Sequence, residues 1–321
     1  MRAVDGVSFE LDRGQVLGIV GESGSGKSVT AMTIMGLTRG VNSRFEGSVH
    51  YAGKDLLQIS DTEMQRYRGN EIGMIFQDPM TSLNPVYRVG EQIVEAIRAH
   101  ESVDKRNARR RAVELLKQVG IPNPESRVDD FPHQFSGGMR QRAMIAMALS
   151  CNPAILIADE PTTALDVTIQ AQIIELIGRL KNDFDSAVIM ITHDLGVVAD
   201  IADDIMVMYA GRVVERGATR AVFYAPQMPY SWGLLGSIPR LDRPRPERLY
   251  SISGTPPSLI NAPRGCKFRP RCPHAFEKCM EEPRLEQRVE SPGHVDRCWL
   301  DVDFKREHRD AMISGKATEA A

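Results

Sequence analysis

Cysteine is nearly absent from the first 265 residues of this 321-residue chain: Cys151 stands alone there, and Cys266, Cys272, Cys279 and Cys298 crowd into the last sixty. Long apolar runs are absent as well; none approaches the ~18 residues that cross a bilayer, so no transmembrane segment is expected. Arg2 and Asp5 flank no apolar core, so no secretory leader is expected, and the protein is expected in the cytosol, where thiols stay reduced. Net charge is only −2, which excludes a bulk attraction to nucleic acid or membrane. No internal repeat and no low-complexity tract interrupts the chain. What is present, 42% hydrophobic and 26% charged residues, suits a globular protein long enough for one large domain and an appendage.

Strand and helix signals alternate over the first two thirds. Residues 4–11, VDGVSFEL, alternate like a half-buried strand, VLGIV at 16–20 reads as a buried strand, and VTAMTIMGL as a helix. Residues 59–120 read as mostly helical and strongly charged. AILIAD at 154–159 and AVIMIT at 187–192 read as buried parallel strands around a helix near 168–182. IMVMYAGRVVERG at 205–217 reads as a hairpin turning at Ala210-Gly211. The alternation predicts an α/β fold with a parallel sheet. Composition then shifts near Tyr224, because twelve of the nineteen prolines lie between Pro226 and Pro292 and proline breaks helices and central strands. The expected division is a domain over 1–225, a loop-rich, cysteine-bearing appendage over 226–300 and a frayed polar tail over 301–321.

GESGSGKS at 21–28 fits G-x-x-x-x-G-K-[ST] between a predicted strand and a predicted helix, the context of a phosphate-binding loop. Gly21, Gly24 and Gly26 let backbone N–H groups close around phosphates, and the helix N-terminus adds a positive dipole end. Lys27 can reach the β- and γ-phosphates and Ser28 can ligate Mg²⁺. The nucleotide-binding set is Gly21, Glu22, Ser23, Gly24, Ser25, Gly26, Lys27, Ser28 and Val29, for ATP with Mg²⁺. The bland alternative, a Gly/Ser-rich surface turn, does not account for the flanking elements. AILIADEP supplies the other half: a strand ending in Asp159 brings a carboxylate to the Mg²⁺ shell, and Glu160 next to it is placed to polarise a water. Alone, two acids after a strand would read equally well as a solvated loop or a cap.

Three further stretches bear on the family. FSGGMRQR at 135–142 is a Ser-Gly-Gly turn opening a helix, FQDP places Gln77 after an apolar strand, and ITHD places His193 at the end of another. With TALD at 163–166 they stand in the order of an ABC-type ATPase cassette, which the chain resembles from about residue 3 to residue 225. Where that family has LSGGQ, this chain has Phe135-Ser136-Gly137-Gly138-Met139, so the end positions depart and Ser-Gly-Gly is intact. The resemblance implies a P-loop NTPase cassette, a RecA-like core with antiparallel β and helical subdomains. It implies that Gln77 ligates Mg²⁺ and senses a transmembrane partner, that Glu160 is the general base, and that His193 holds the γ-phosphate and the attacking water. It implies that Asp166 communicates across a dimer, while Ser136, Gly137 and Gly138 meet the nucleotide of a second subunit. The family's adenine-stacking aromatic has no counterpart at its usual distance; Phe9, the one aromatic before Gly21, falls on the strand pattern and reads as core.

FQDPMTSLNPVYRVGEQIVEAI and GTPPSLINAPRGCKFRPRC, with the later cysteines, closely resemble the ATPases of oligopeptide/dipeptide importers, to about Leu300. That implies import of peptides, or of a relative such as nickel chelates. It also implies partners: a second ATPase subunit, commonly a paralogue, two integral-membrane permeases and an extracytoplasmic binding protein, with this chain peripheral on the cytoplasmic face. A soluble ABC ATPase acting on nucleic acid or the ribosome is a second class; the long insertions of chromosome-maintenance ATPases and a second cassette are both missing. A metal-binding regulator with a degenerate ATP site is a third, opposed by intact Lys27, Asp159, Glu160 and His193. KRNARRR at 105–111, and eight Arg/Lys against two acids over 240–271, lack interleaved stacking aromatics. They read as solvated faces or intersubunit salt bridges, and no nucleic-acid partner is expected.

The four late cysteines are spaced C-x5-C-x6-C-x18-C. A reducing compartment disfavours disulfides. A Cys₄ zinc site would lack its usual C-x2-C knuckle, and a [4Fe–4S] cluster also takes four thiolates, so spacing leaves zinc and iron–sulfur open. Some of the peptide-importer ATPases carry a [4Fe–4S] cluster at matching cysteines, and the resemblance points there, in a structural role, because the appendage has little apolar sequence for a core. His274 and His294 read as surface histidines and Cys151 as a small core residue.

Overall fold

The structure, a computed structural model, describes residues 1–163, 165–238 and 251–313. In chain order it runs β1 (Val16–Val20), α1 (Lys27–Ile34), β2 (His50–Tyr51), β3 (Lys54–Asp55), α2 (Asp61–Met64), β4 (Ile72–Ile75), α3 (Pro79–Ser82), α4 (Val89–His100), α5 (Lys105–Gln118), α6 (Pro124–Arg127) and α7 (Gly137–Ala148). It continues with β5 (Ile155–Asp159), α8 (Val167–Phe184), β6 (Ala187–Thr192), α9 (Leu195–Ile201), β7 (Asp204–Tyr209), β8 (Arg212–Ala218), α10 (Thr219–Tyr224), α11 (Pro229–Gly236), β9 (Glu286–Gln287), β10 (Val295–Asp296) and α12 (Val302–Ile313). No helix among the described residues is long and apolar enough to cross a membrane.

The chain forms two compact units, one of residues 1–10, 16–29 and 192 onward, the other of residues 11–15 and 30–191. In the first, β1 pairs in parallel with β7, Ile19 opposite Met206, and β7 turns back into β8. All five residues of β1 are buried, as a strand covered on both faces requires. The hairpin turns at Ala210 and Gly211, both at positive φ (47° and 80°), the backbone that a two-residue turn between twisted strands demands. β10 pairs antiparallel to β8, Val295 opposite Arg216, and β9 pairs with β10. The cysteine-bearing segment thus shares a sheet with the hairpin. In the second unit, β4, β5 and β6 are parallel neighbours, Ile157 opposite both Met74 and Ile189. Around them lie helices α2–α8, with α4 packed on α5 and both on α7.

Two expectations need correction. Residues 4–11 form no strand; only the alternation of half-buried and exposed positions survives, since no neighbour completes a ladder. The stretch 59–120 is mostly helical, as expected, and the apolar strand expected before Gln77 is β4, whose four residues IGMI are fully buried. The residues expected as a frayed tail from 301 form α12 as far as Ile313, because Lys305 is fully buried on Asp296, Nζ to Oδ1 2.8 Å. The appendage also builds more core than its prolines suggested. Tyr230 and Trp232 on α11 are fully buried, Phe268 nearly so, and Tyr230 and Phe268 pack with Tyr209 at ring separations of 4.6–5.4 Å.

Candidate functional site

In the first unit, the loop 21–26 joins β1 to α1. A side chain on Gly21 would sit 2.2 Å from the Met208 carbonyl oxygen, and Gly26, at φ +100°, would put a Cβ 2.6 Å from the Ala3 carbonyl, so both positions require glycine. Lys27 is buried, and its Nζ donates to the carbonyls of Gly21 (2.8 Å) and Glu22 (3.1 Å), folded back over the loop. Ser25 is buried and its Oγ has no hydrogen-bond partner among the described residues, whereas Ser23 and Gly24 form an exposed tip. Ser28 and Val29 occupy the first turn of α1. Glu22 is held twice: its N–H donates to the Tyr230 hydroxyl (2.8 Å), and its carboxylate takes a two-pronged bond from Arg271, 2.6 and 3.0 Å. His193 is exposed at the end of β6; Asp194 after it caps α9 by accepting the Gly196 N–H at 2.8 Å.

In the second unit, Asp159 is the buried last residue of β5. Glu160 follows with φ +47°, a left-handed backbone that costs a non-glycine residue about 1–2 kcal/mol. Its N–H is tied to the Ile191 carbonyl (2.9 Å), which keeps it there. That twist turns the carboxylate toward Gln77, whose Nε2 donates to Oε2 at 3.0 Å, and Thr163, whose Oγ1 donates to the same oxygen at 2.9 Å. Gln77 is exposed just past β4. Ser136 caps α7 by accepting the Met139 N–H (3.3 Å), leaving Ser136 and Gly137 exposed at a helix N-terminus over buried Phe135. A Cβ on Gly138 would come 3.0 Å from Ile169. Asp166, exposed, caps α8 through the Ile169 N–H at 3.0 Å; Ala164 of TALD lies outside the described residues. A cavity of about 530 Å³ is lined by Asn84, Tyr87, Gln92, Glu95, Ala96 and Met147. Gln92 stiffens its wall through bonds to Asn84 and Tyr87. Met80, Val86 and Tyr87 in the same stretch are 55–72% exposed.

The four late cysteines form no disulfide. The Cys266 N–H donates to the Cys279 carbonyl (3.0 Å). Burial pushes the thiols of Cys272 and Cys298 up to about 12 and that of Cys266 upward, and the neighbouring thiols raise all three further. The four therefore share one neighbourhood, but among the described residues no three His, Cys, Asp or Glu side chains converge as a metal-ligand set. Cys151 is half-buried with its Sγ 3.8 Å from the Ala96 carbonyl. His294, expected at the surface, is buried, its Nε2 2.8 Å from Oε1 of fully buried Glu215, and His274 is packed between Trp232, Phe304 and His308. Both rings are taken in by the aromatic and ionic packing of the appendage. Of the basic runs, Arg109 forks onto Asp129 and Arg111 onto Glu101, and Arg271 reaches Glu22; residues 240–250 lie outside the described ones.

Sequence reasoning missed Thr163, Tyr230 and Arg271. Thr163 sits one turn from Glu160, a hint available in DEPTT. The link of Tyr230 and Arg271 to Glu22 spans more than two hundred residues and leaves no local signal.

Residues 4–163 match the family described as "ABC transporter", and residues 214–279 the one described as "Oligopeptide/dipeptide transporter, C-terminal region". The chain is 55% identical to the oligopeptide transport ATP-binding protein OppD of Bacillus subtilis (strain 168), over 94% of this chain and 84% of that one. It is 52% identical to the dipeptide transport ATP-binding protein DppD of the same organism, over 99% and 94%. Among solved structures, the dimeric post-hydrolysis state of the ATP-binding cassette MJ0796 bound to ADP and Pi superposes with a TM-score of 0.61 at 30% identity, covering 68% of this chain and 91% of that one.

Proposed function

Because the chain belongs to the family of ABC transporter ATP-binding proteins for oligopeptide and dipeptide transport, we propose that it binds and hydrolyses ATP to energise import of such peptides through a membrane permease. The observation that carries the reading is the pair of loops: a glycine loop with buried Lys27 folded over it, and a carboxylate, Glu160, aimed by Gln77 and Thr163. Lys27 and the N–H groups of 21–28 bind the phosphates, and Ser28, Gln77 and Asp159 are the proposed Mg²⁺ ligands. Mg²⁺, when bound, offsets phosphate charge. Glu160 takes the proton from the attacking water, which His193 orients. Ser136, Gly137 and Gly138 receive the nucleotide of a partner ATPase, and Asp166 signals across that interface. The runner-up class, a soluble ATPase working on nucleic acid or the ribosome, finds no support in the relatives' names.

The exposed Met80 and Val86, in the stretch that also gives the cavity its exposed Tyr87, favour a membrane subunit's segment as occupant, which fits a peripheral position at the cytoplasmic face. The wider assembly we infer has a second ATPase, two permeases and an extracytoplasmic binding protein. The four free thiols of the appendage are the basis on which we infer a [4Fe–4S] cluster, with zinc the alternative, as its resident group, although among the described residues no three such side chains converge as a ligand set; a bound cation would oppose the effect of burial that raises the Cys266, Cys272 and Cys298 thiols. The test is purification from the native membrane, under anaerobic conditions, followed by phosphate release and metal analysis. Two co-purifying integral membrane proteins and ATP turnover are expected, with about four irons per chain for the cluster or one zinc for the alternative. A chain that turns over fully without membrane partners refutes the transport reading, and a metal-free native protein refutes the cofactor.

A further inference from the structure

Glu22 puts a carboxylate in the phosphate loop. A carboxylate at its mouth repels the anion the loop must bind and gives the first turn a long, mobile side chain. The structure neutralises and immobilises it with a residue from the cysteine-bearing segment. The Arg271 side chain is only 4% exposed, and each of its five N–H donors is used. Two go to Glu22, at 2.6 and 3.0 Å; one goes to the Tyr209 hydroxyl (3.4 Å); the rest go to the carbonyls of Ser253 (3.0 Å) and Ile252 (3.3 Å). The guanidinium also lies 5.9 Å from the centre of the Tyr209 ring. A guanidinium with every donor engaged is a fixed post, unlike a solvated surface arginine. Tyr230, which accepts the Glu22 N–H, is itself fully buried against Tyr209 and Phe268. Glu22 is thus held at both backbone and side chain, and its carbonyl is one of the two that receive Lys27.

We propose that Arg271 is a positioning residue for nucleotide binding: by clamping Glu22 it cancels that residue's charge and fixes the first turn of the loop in the shape that receives the phosphates. The inference rests on residues 21–28 being the phosphate loop, and it makes the segment around residue 271 part of the ATP site's support. Arg271 directly precedes Cys272, so the folding of the appendage reaches the loop through the Arg271 side chain as well as through Tyr230.

The test measures ATP affinity and melting temperature on the full chain, for wild type, Arg271→Ala, Arg271→Lys, Glu22→Gln and the double variant Glu22→Gln/Arg271→Ala. Arg271→Ala is expected to weaken ATP binding about tenfold, ~1.4 kcal/mol. Arg271→Lys recovers only part, because a compact ammonium cannot form the fork. In the double variant the unpaired carboxylate is gone, so affinity is expected to return toward that of Glu22→Gln, a non-additive rescue. A merely structural ion pair would lower the melting temperature and leave the affinity of the folded protein unchanged. That result, measured well below the melting temperature of each variant, or strictly additive losses, would overturn the proposal. Lys27→Ala is the separate control: if it binds ATP like wild type, the loop assignment itself falls and the clamp with it, whereas loss of binding in Lys27→Ala with unchanged binding in Arg271→Ala removes the clamp alone.

Discussion

Replacing Glu160 with glutamine should separate the proposed base from the scaffold that aims it. Two hydrogen bonds among the described residues, from Gln77 Nε2 and Thr163 Oγ1, converge on one carboxylate oxygen, Oε2. The carbonyl oxygen of a glutamine can occupy that position and accept both. The left-handed backbone at residue 160 is as unfavourable for glutamine as for glutamate, so Glu160→Gln leaves stability within ~0.5 kcal/mol. What it removes is the ability to accept a proton, worth ~10²–10⁴-fold in rate, or about 3–5 kcal/mol of barrier. Two companion variants calibrate the number. Thr163→Val deletes one of the two aiming bonds, about 1 kcal/mol and about fivefold in rate. Glu160→Gly relieves the backbone strain but forfeits the bonds from Gln77 and Thr163 and frees the unfolded chain, so its stability should stay within ~1 kcal/mol of wild type while activity is lost. The assay is phosphate release by the chain reconstituted with its permease, alongside thermal melting. Turnover of Glu160→Gln at the wild-type rate would refute the assignment; a collapse of its melting temperature would show that the carboxylate is structural.

Three further outcomes are expected. Because Ser136 and Gly137 stand exposed on the end of α7, dilute monomer should hydrolyse ATP weakly and gain activity with a partner ATPase; full activity in a demonstrably monomeric sample would disprove this. Lys305→Met leaves buried Asp296 with Arg288 as its remaining ion-pair partner among the described residues, 3.4 Å away, and should cost ~3 kcal/mol, while the double variant Lys305→Met/Asp296→Leu should recover part of it; equal losses in both, by chemical denaturation, would show that the pair matters little. Burial, with the bond to Glu71, pushes the Tyr51 hydroxyl up to about 12 from an ordinary value of 10. The folded state therefore holds that proton longer than the unfolded one: its stabilisation is complete below pH 10 and lost as pH rises through 12, and Tyr51→Phe should flatten the stability–pH curve in that window.

Motifs whose chemistry is local were legible. VLGIV, AILIAD and AVIMIT became β1, β5 and β6 because four to six consecutive buried residues between turn signals have little other use, and the hairpin at Ala210-Gly211 followed from its turn. Ser136 and Asp166 cap helices because short oxygen-bearing side chains there satisfy N–H groups three residues on. What escaped was set by partners distant in sequence. Residues 4–11 alternate correctly but have no strand to pair with. The burial of His294 depends on Glu215, that of Lys305 on Asp296, and the place of Arg271 on Glu22, none of which periodicity encodes.

The short ribbon of β9 and β10 has a consequence beyond the residues it carries. β10 occupies the side of β8 that does not face β7, so the rim of the sheet in that unit is capped by two strands of two residues each, too short to recruit a further chain. A protein trimmed at residue 225, where composition invites a cut, would uncover the seven-residue β8 with most of its side chains apolar or buried and a row of unpaired backbone groups. Such a rim is a template for aggregation. The cassette therefore cannot be traded between proteins as a free-standing module at that boundary without bringing its own cover for β8.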